Sequence, residues 1–149
     1  MPTLAENKKA YFNYNILEKF EAGIVLIGQE VKSIKAGRMD LAGSYVIIRD
    51  NEAYLVGAKI PAYQPKNAPP DYDTERPRKL LLNKSEINYL VGKSKERGLT
   101  LAPLKAYTKR ATIKLEFGIG RGKKQFDKRE TIKKRDTDRE MKREINARG

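Results

Sequence analysis

Nothing after residue 120 helps to build a core. Residues 121–149 carry twelve basic and six acidic side chains, and their only apolar members are Phe126, Ile132, Met141, Ile145 and Ala147. Nine positions separate Ile132 from Met141, so no continuous apolar stripe forms. Such a segment buries too little to offset its ordering entropy and is expected to be a basic tail, disordered when free. It is rich in Lys, Arg and Glu and has no Gly between Lys123 and Arg148, so it is expected to turn helical once a partner neutralises its charge. The fold must therefore come from residues 1–120, a length that suits one domain.

The whole chain has 149 residues, with 32 Lys and Arg against 19 Asp and Glu, a formal net charge of +13. It has no Cys, which excludes disulfides, thiolate metal sites and a cysteine nucleophile. It has no His, the commonest general acid/base and metal ligand. No apolar run approaches the roughly 20 residues of a membrane span. The stretch from Met1 to Lys9 lacks the apolar core of a signal peptide. These features predict a cytosolic binder of a polyanion, with nucleic acid first among the partners.

Within residues 1–120 the patterning is mostly that of strands. Tyr11 to Leu17 alternates, with Phe12, Tyr14 and Ile16 on one face, and Ile24 to Ile27 is expected to continue it past a bend or bulge at Gly23. Gly28 to Ala36 changes period: Ile27, Val31 and Ile34 share a helical face, with Gln29, Lys32 and Ser33 opposite and Gly37 as the C-terminal cap. Tyr45 to Ile48 and Ala53 to Val56 flank Arg49-Asp50-Asn51-Glu52, a hairpin signal. Residues 61–77 hold five of the seven prolines and form a loop. Asn83 with Glu86 three residues on resembles a capping box, and Ile87, Leu90 and Val91 form the buried face of a helix that ends at Gly98. Leu99 to Tyr107 is a strand interrupted by Pro103, which marks an edge or a bulge. Ala111 to Ile119 alternates cleanly, with Ile113, Leu115, Phe117 and Ile119 inward. Short antiparallel strands with helices between them predict a small closed barrel, the oligonucleotide-binding type being the obvious candidate.

The chemistry available is that of binding. Asp71, Asp73 and Glu75 cluster in the loop, and Asp136, Asp138 and Glu140 in the tail, where no rigid frame holds a metal or raises a pKa. Neither a catalytic centre nor a metal or cofactor site is expected. Gly118-Ile119-Gly120-Arg121-Gly122-Lys123 lacks the spacing of a phosphate-binding loop and is expected to be a flexible exit from the barrel. The basic groups Asn7-Lys8-Lys9, Lys32 and Lys35, Arg76-Pro77-Arg78-Lys79, Lys109-Arg110 and Arg121-Gly122-Lys123-Lys124 all fall at the ends of elements, where together they predict a phosphate-binding face. Glu30 has two readings. It is an acid at a helix N-terminus, favoured by the dipole, or an acceptor for a base edge that phosphate-binding cations do not read.

Gly28-Gln29-Glu30-Val31-Lys32-Ser33, Arg78-Lys79-Leu80-Leu81-Leu82, the Thr100 to Tyr107 strand and Gly122-Lys123-Lys124-x-x-Asp127-Lys128-Arg129 occur in that order. With them the sequence, from about Asn7 to Arg139, resembles the SsrA-binding protein family, also called small protein B, the bacterial partner of transfer-messenger RNA. The resemblance implies a mainly β fold: a six-stranded oligonucleotide-binding-type barrel with flanking helices over residues 1–120 and a tail over 121–149. It implies a cytoplasmic RNA-binding protein, not an enzyme, that binds the tRNA-like domain of transfer-messenger RNA and delivers it to stalled ribosomes for trans-translation. Asn7, Lys8, Lys9, Gln29, Glu30, Lys32, Ser33, Arg78, Lys79, Arg121, Lys123 and Lys124 would then face the RNA. Phe126, Asp127, Lys128, Arg129, Lys133, Lys134 and Arg135 would act in the tail, which enters the decoding centre and mRNA channel of the small ribosomal subunit and folds into a helix there. Alanyl-tRNA synthetase and elongation factor Tu would be partners only through the RNA. This sequence has Gln29 where the family usually has Thr, Phe126 where some members have His, and Thr137 where some have Trp. The alternative from a different class is a ribosome-associated structural protein that binds ribosomal RNA.

Overall fold

Period-two alternation along the longest strands sets the frame. The computed structural model describes residues 2–123. Seven strands and three helices lie among them: β1 (Thr3–Glu6), α1 (Lys8–Asn13), β2 (Tyr14–Ile24), α2 (Gly28–Lys35), β3 (Tyr45–Arg49), β4 (Glu52–Val56), β5 (Arg78–Leu81), α3 (Lys84–Ser94), β6 (Leu99–Lys109) and β7 (Thr112–Gly122), with a 3-10 turn at Pro65–Asn67. The strands form one antiparallel sheet in the order β1-β6-β7-β2-β5-β4-β3.

The mainly β class with flanking helices is as expected, but closure is not. The sheet ends at β1 and β3, and no ladder joins those two strands. It curls so that β3 comes against β6, and α3 packs on both. Ile87 and Leu90 of that helix are buried, so a helix covers the gap where a barrel would pair its last strands. A strand beyond the expected six, β1, is supplied by Thr3–Glu6, whose four residues are too few to show a period.

Ile113, Leu115, Phe117 and Ile119 of β7 are all buried, together with Leu55, Leu80, Leu101 and Ile34, as the core between the curled sheet and the helices. Each such side chain contributes about 1.5–3 kcal/mol when fully buried. The β3–β4 hairpin turns at Asp50 and Asn51, with φ of 51° and 61°. Asp and Asn are among the residues that tolerate this left-handed region, which the favoured two-residue turn requires. Asn83 caps α3 as expected: its Oδ1 accepts the Glu86 N–H at 2.8 Å. The helix stops at Ser94, four residues before Gly98, which instead takes φ 83° in the turn into β6.

Three local expectations are corrected. Tyr11 to Asn13 belong to α1, and the strand starts only at Tyr14. The irregularity in β2 falls between Ile16 and Glu18, while Gly23 pairs regularly with Lys114 and Leu81. Pro103 marks a bulge, between Pro103 and Lys105, as expected, and β1 pairs with β6 from Lys105 to Tyr107. The glycine-rich segment is no flexible exit, since β7 continues through it to Gly122. Its glycines answer to packing. A Cβ on Gly118 would stand 2.7 Å from Ile16 Cγ2, and one on Gly120 would stand 2.9 Å from Tyr14 Cβ. The bulged start of β2 lies against β7 so closely that only hydrogen fits there.

Candidate nucleic-acid interface

The residues expected to meet RNA divide by burial. Lys8, Lys9, Lys32, Lys79 and Arg121 are exposed, Gln29 and Lys123 are half-buried, and Asn7, Glu30, Ser33 and Arg78 are buried. The buried four hold the surface in shape.

Glu30 is the hub. It sits in the first turn of α2, where its Oε1 accepts the Ile27 N–H at 3.0 Å, half of a capping box without a hydroxyl partner. Its Oε2 accepts from Arg78 Nε at 2.8 Å, Arg78 Nη2 at 2.6 Å and Arg76 Nε at 3.2 Å, and Arg76 Nη2 also donates to Oε1. Arg78 spends its remaining donors on the carbonyls of Ala58 at 2.8 Å and Thr74 at 3.0 Å. Neither Glu30 nor Arg78 has exposed surface. Burial by itself pushes the Glu30 carboxyl up, but the Arg76 and Ile27 donors and then Arg78 outweigh it and hold the group below the ordinary carboxylate value. Glu30 is thus an ionised anchor shared by two guanidinium groups.

That anchor fastens the proline-rich loop to α2. Ser33 Oγ donates to the Pro61 carbonyl, Gln29 Oε1 accepts the Gln64 N–H at 3.0 Å, and Tyr72 OH donates to the Ile60 carbonyl at 2.6 Å. Glu30, Ser33 and Arg78, expected to face the RNA, are all buried here. One turn of α2 grips the loop at both ends, and Lys32 and Lys35 are left outside in the last turn, where the helix dipole favours cations. Beside them the Arg38 guanidinium stands 5.5 Å over the Tyr63 ring. Lys79 alternates away from Arg78 along β5 and pairs with Glu52 at 3.0 Å.

A second group forms where the start of β2 meets the end of β7. Asn15 pairs with Arg121 and Tyr14 with Gly122 across the β2–β7 ladder, and the Lys123 N–H donates to the Asn13 carbonyl at 2.9 Å. Lys8 and Lys9 begin the helix that leads into this ladder, so cations far apart in sequence share one end of the sheet. Asn7 is buried beneath them: its N–H donates to the Leu104 carbonyl at 2.7 Å and its Nδ2 to the Pro103 carbonyl at 3.0 Å. Asn7, expected to face RNA, thus ties α1 to the β6 bulge.

A third group was only half visible in the sequence. At the β6–β7 turn a recess of about 340 Å³ is lined by Glu21, Lys109, Arg110, Thr112 and Lys114. Glu21 accepts from Tyr107 OH and from Lys109 Nζ at 3.2 Å. The Tyr107 hydrogen bond holds the Glu21 carboxyl below its ordinary value, against a smaller opposing effect of burial. Burial and the Glu21 carboxylate push the Tyr107 hydroxyl far up, so it stays protonated. The turn itself puts Arg110 and Ala111 at φ 51° and 64°. Lys109-Arg110 stood out as a basic pair, but Glu21 and Lys114 join it only through strand register. The signal was Lys114 mirrored across the hairpin opposite Tyr107.

Among the described residues no group of three or more acidic side chains is placed to hold a metal. Asp73 and Glu75 are instead part of a turn, with Asp73 Oδ1 accepting the Glu75 N–H at 2.9 Å. No described helix is long and apolar enough to cross a membrane. Lys124, Phe126, Asp127, Lys128, Arg129, Lys133, Lys134, Arg135, Asp136, Thr137, Asp138 and Glu140, and with them the predicted tail, lie outside the described residues.

A family model described as "SmpB protein" matches residues 4–147. The chain belongs to the SmpB family. It is 52% identical over 141 residues to an SsrA-binding protein of Cupriavidus pinatubonensis, with 95% of this chain and 94% of that protein covered. It is 46% identical to an SsrA-binding protein of Trichodesmium erythraeum, covering 95% of this chain and 91% of that one. A solved structure described as "tmRNA-SmpB: a journey to the center of the bacterial ribosome" matches with a TM-score of 0.68 and 46% identity, over 84% of this chain and 87% of that one.

Proposed function

We propose that this chain is an RNA-binding protein, not an enzyme, that binds transfer-messenger RNA and serves with it on the bacterial ribosome in trans-translation. The observation that carries this is the likeness at 46% identity to the SmpB of a structure described by its transfer-messenger RNA and the bacterial ribosome. The surface supports the same function physically. Exposed cations gather at α1 with the end of β7, on the last turn of α2, and at the β6–β7 turn, each held by ordered backbone. Cations so placed neutralise phosphates and release counterions without ordering themselves on binding.

The finer assignment is to the tRNA-like domain of that RNA. Lys8, Lys9, Lys32, Lys79, Arg121 and Lys123 contact its backbone, with Lys109, Arg110 and Lys114 added. Gln29, Glu30, Ser33 and Arg78 act by fixing α2 to the loop. Lys124, Phe126, Asp127, Lys128, Arg129, Lys133, Lys134 and Arg135 are assigned to the small ribosomal subunit. The protein's place is the bacterial cytoplasm. Alanyl-tRNA synthetase and elongation factor Tu meet it only through the RNA.

The test is a pull-down of the tagged full chain from bacterial lysate with sequencing of the retained RNA. Strong enrichment of transfer-messenger RNA over ribosomal RNA is expected. Retention of ribosomal RNA alone would replace the proposal with a structural role on the ribosome.

A further inference from the structure

The outward face of the β3–β4 hairpin differs from the rest of the sheet. On β2 and β7 the outward positions carry charges, Lys19 and Glu21 beside Lys114 and Glu116. On β3 they are Tyr45, Ile47 and Arg49, paired across the hairpin with Val56, Tyr54 and Glu52, while Val46, Ala53 and Leu55 turn inward and are buried. Tyr45 is 46% exposed, and Ile47, Tyr54 and Val56 are half-buried. Glu52, opposite Arg49, is already taken: it accepts from Tyr54 OH at 2.6 Å and pairs with Lys79 at 3.0 Å. Among the described residues Arg49 is left without an ion pair, and the Tyr45 ring without a ring or cation partner.

We infer that a second copy of this chain docks on this face, about a two-fold axis through Ile47 that sets Tyr45 of each copy on Arg49 of the other. Tyr45 and Arg49 lie two residues to either side of Ile47 on the same face of one strand, so one rotation makes both contacts at once. An unpaired guanidinium on an unpaired ring gains a cation–π contact, and Arg and Tyr are enriched where proteins meet. At the Arg49 end the face has a recess of about 370 Å³, lined by Ile47, Tyr54, Val56 and Pro77 with Asp50 and Glu52, which has room for a phenol ring. The charges favour a second copy over RNA. Arg49 and Lys79 are balanced on this face by Asp50 and Glu52, in a chain whose formal net charge is +13. The two carboxylates repel phosphate, and two strongly cationic copies approach at least cost where charge is locally balanced. The face is smaller than a permanent interface, so the association is weak, with a dissociation constant of roughly 0.1 mM.

The inference goes beyond the proposed function, and neither Tyr45 nor Arg49 is assigned to RNA. The test is sedimentation velocity of the full chain, free of RNA, from about 0.02 to 1 mM protein, a range that brackets the expected constant. Salt of about 0.3 M screens the net repulsion between copies. The weight-average mass is expected to rise with concentration from 17.0 kDa toward twice that value. Tyr45→Arg sets Arg against Arg49 of the other copy and is expected to weaken the association at least tenfold. Arg49→Glu, which removes the cation, is expected to weaken it as well. Tyr45→Arg with Arg49→Glu sets Arg against Glu twice and is expected to restore it to within about threefold of the parent. Both positions are exposed, so the urea midpoints of all three variants should match the parent. A parent chain that keeps the mass of one copy throughout would overturn the inference. So would association that neither single substitution weakens, or a double variant that is not rescued.

Discussion

Replacing Glu30 by Gln should unfold this protein more readily without first damaging its RNA-binding surface. The substitution keeps the shape of the side chain and one acceptor oxygen but removes the charge shared by two guanidinium groups. Arg76 is 31% exposed and can turn to water. Arg78 has no exposed surface and keeps only neutral acceptors, the Ala58 and Thr74 carbonyls and at most the one Gln oxygen. An uncompensated buried charge of this kind costs about 3–5 kcal/mol. That is a large share of the roughly 5–15 kcal/mol that holds a whole domain together. Exchanging both partners, Glu30→Met with Arg78→Met, should cost less than the single change, because a buried pair replaced by apolar groups is often near neutral. Urea unfolding of the full chain measures this as a shift in midpoint at constant slope. RNA affinity measured well below the unfolding midpoint should stay within a few-fold of the parent protein. A loss under about 1 kcal/mol, within the range of ordinary surface changes, would refute the buried-hub reasoning. Lost RNA affinity at unchanged stability would return Glu30 to a direct contact.

The same carboxylate sets a pH dependence. Its native pKa is depressed, so its contribution is present above the ordinary value of 4.5 and is lost as pH falls through the native value; thermal melting should drop in that window, less steeply in Glu30→Gln. Gly118→Ala should cost about 1–3 kcal/mol by overpacking, read from the urea midpoint. Its new Cβ meets Ile16 Cγ2 at 2.7 Å and the Glu18 carbonyl at 2.9 Å; an unchanged midpoint would show that β2 gives way. With the nine cations assigned to the RNA backbone, binding to the tRNA-like domain should show a log–log salt slope of roughly −6 to −8. Lys109→Gln with Lys114→Gln should flatten that slope by about 1–2, and an unaltered slope would take the β6–β7 recess out of the interface.

What the sequence revealed and what it hid follow from the range of the interactions. The β3–β4 hairpin, the Asn83 cap and the inward face of β7 were legible because each is set by neighbours within a few residues. Tyr11 to Asn13 were misassigned because alternation over so short a run fits a helix face as well as a strand. The glycines at 118 and 120 looked like flexibility, and only the bulge in β2 across the ladder shows that they are contact positions. Lys32, Lys79 and Arg121 were legible as surface cations from charge alone. Glu30 and Arg78 were not legible as buried, because 48 residues separate them and no local pattern distinguishes a paired charge from a solvated one. The Glu21, Tyr107, Lys109 and Lys114 cluster depends on the register of three strands, information that appears only once the sheet is assembled.

The central claim is selective recognition of one RNA by an ordered, cationic surface. Competition binding measures it most directly: the full chain with labelled tRNA-like domain of transfer-messenger RNA at physiological salt, titrated with that same RNA unlabelled or with a ribosomal RNA hairpin of equal length. Equal length fixes the non-specific electrostatic contribution, so any difference between the competitors is recognition. The tRNA-like domain is predicted to compete at concentrations at least tenfold lower than the hairpin. Equal competition by the two RNAs would contradict the account and leave only a basic protein that adheres to RNA.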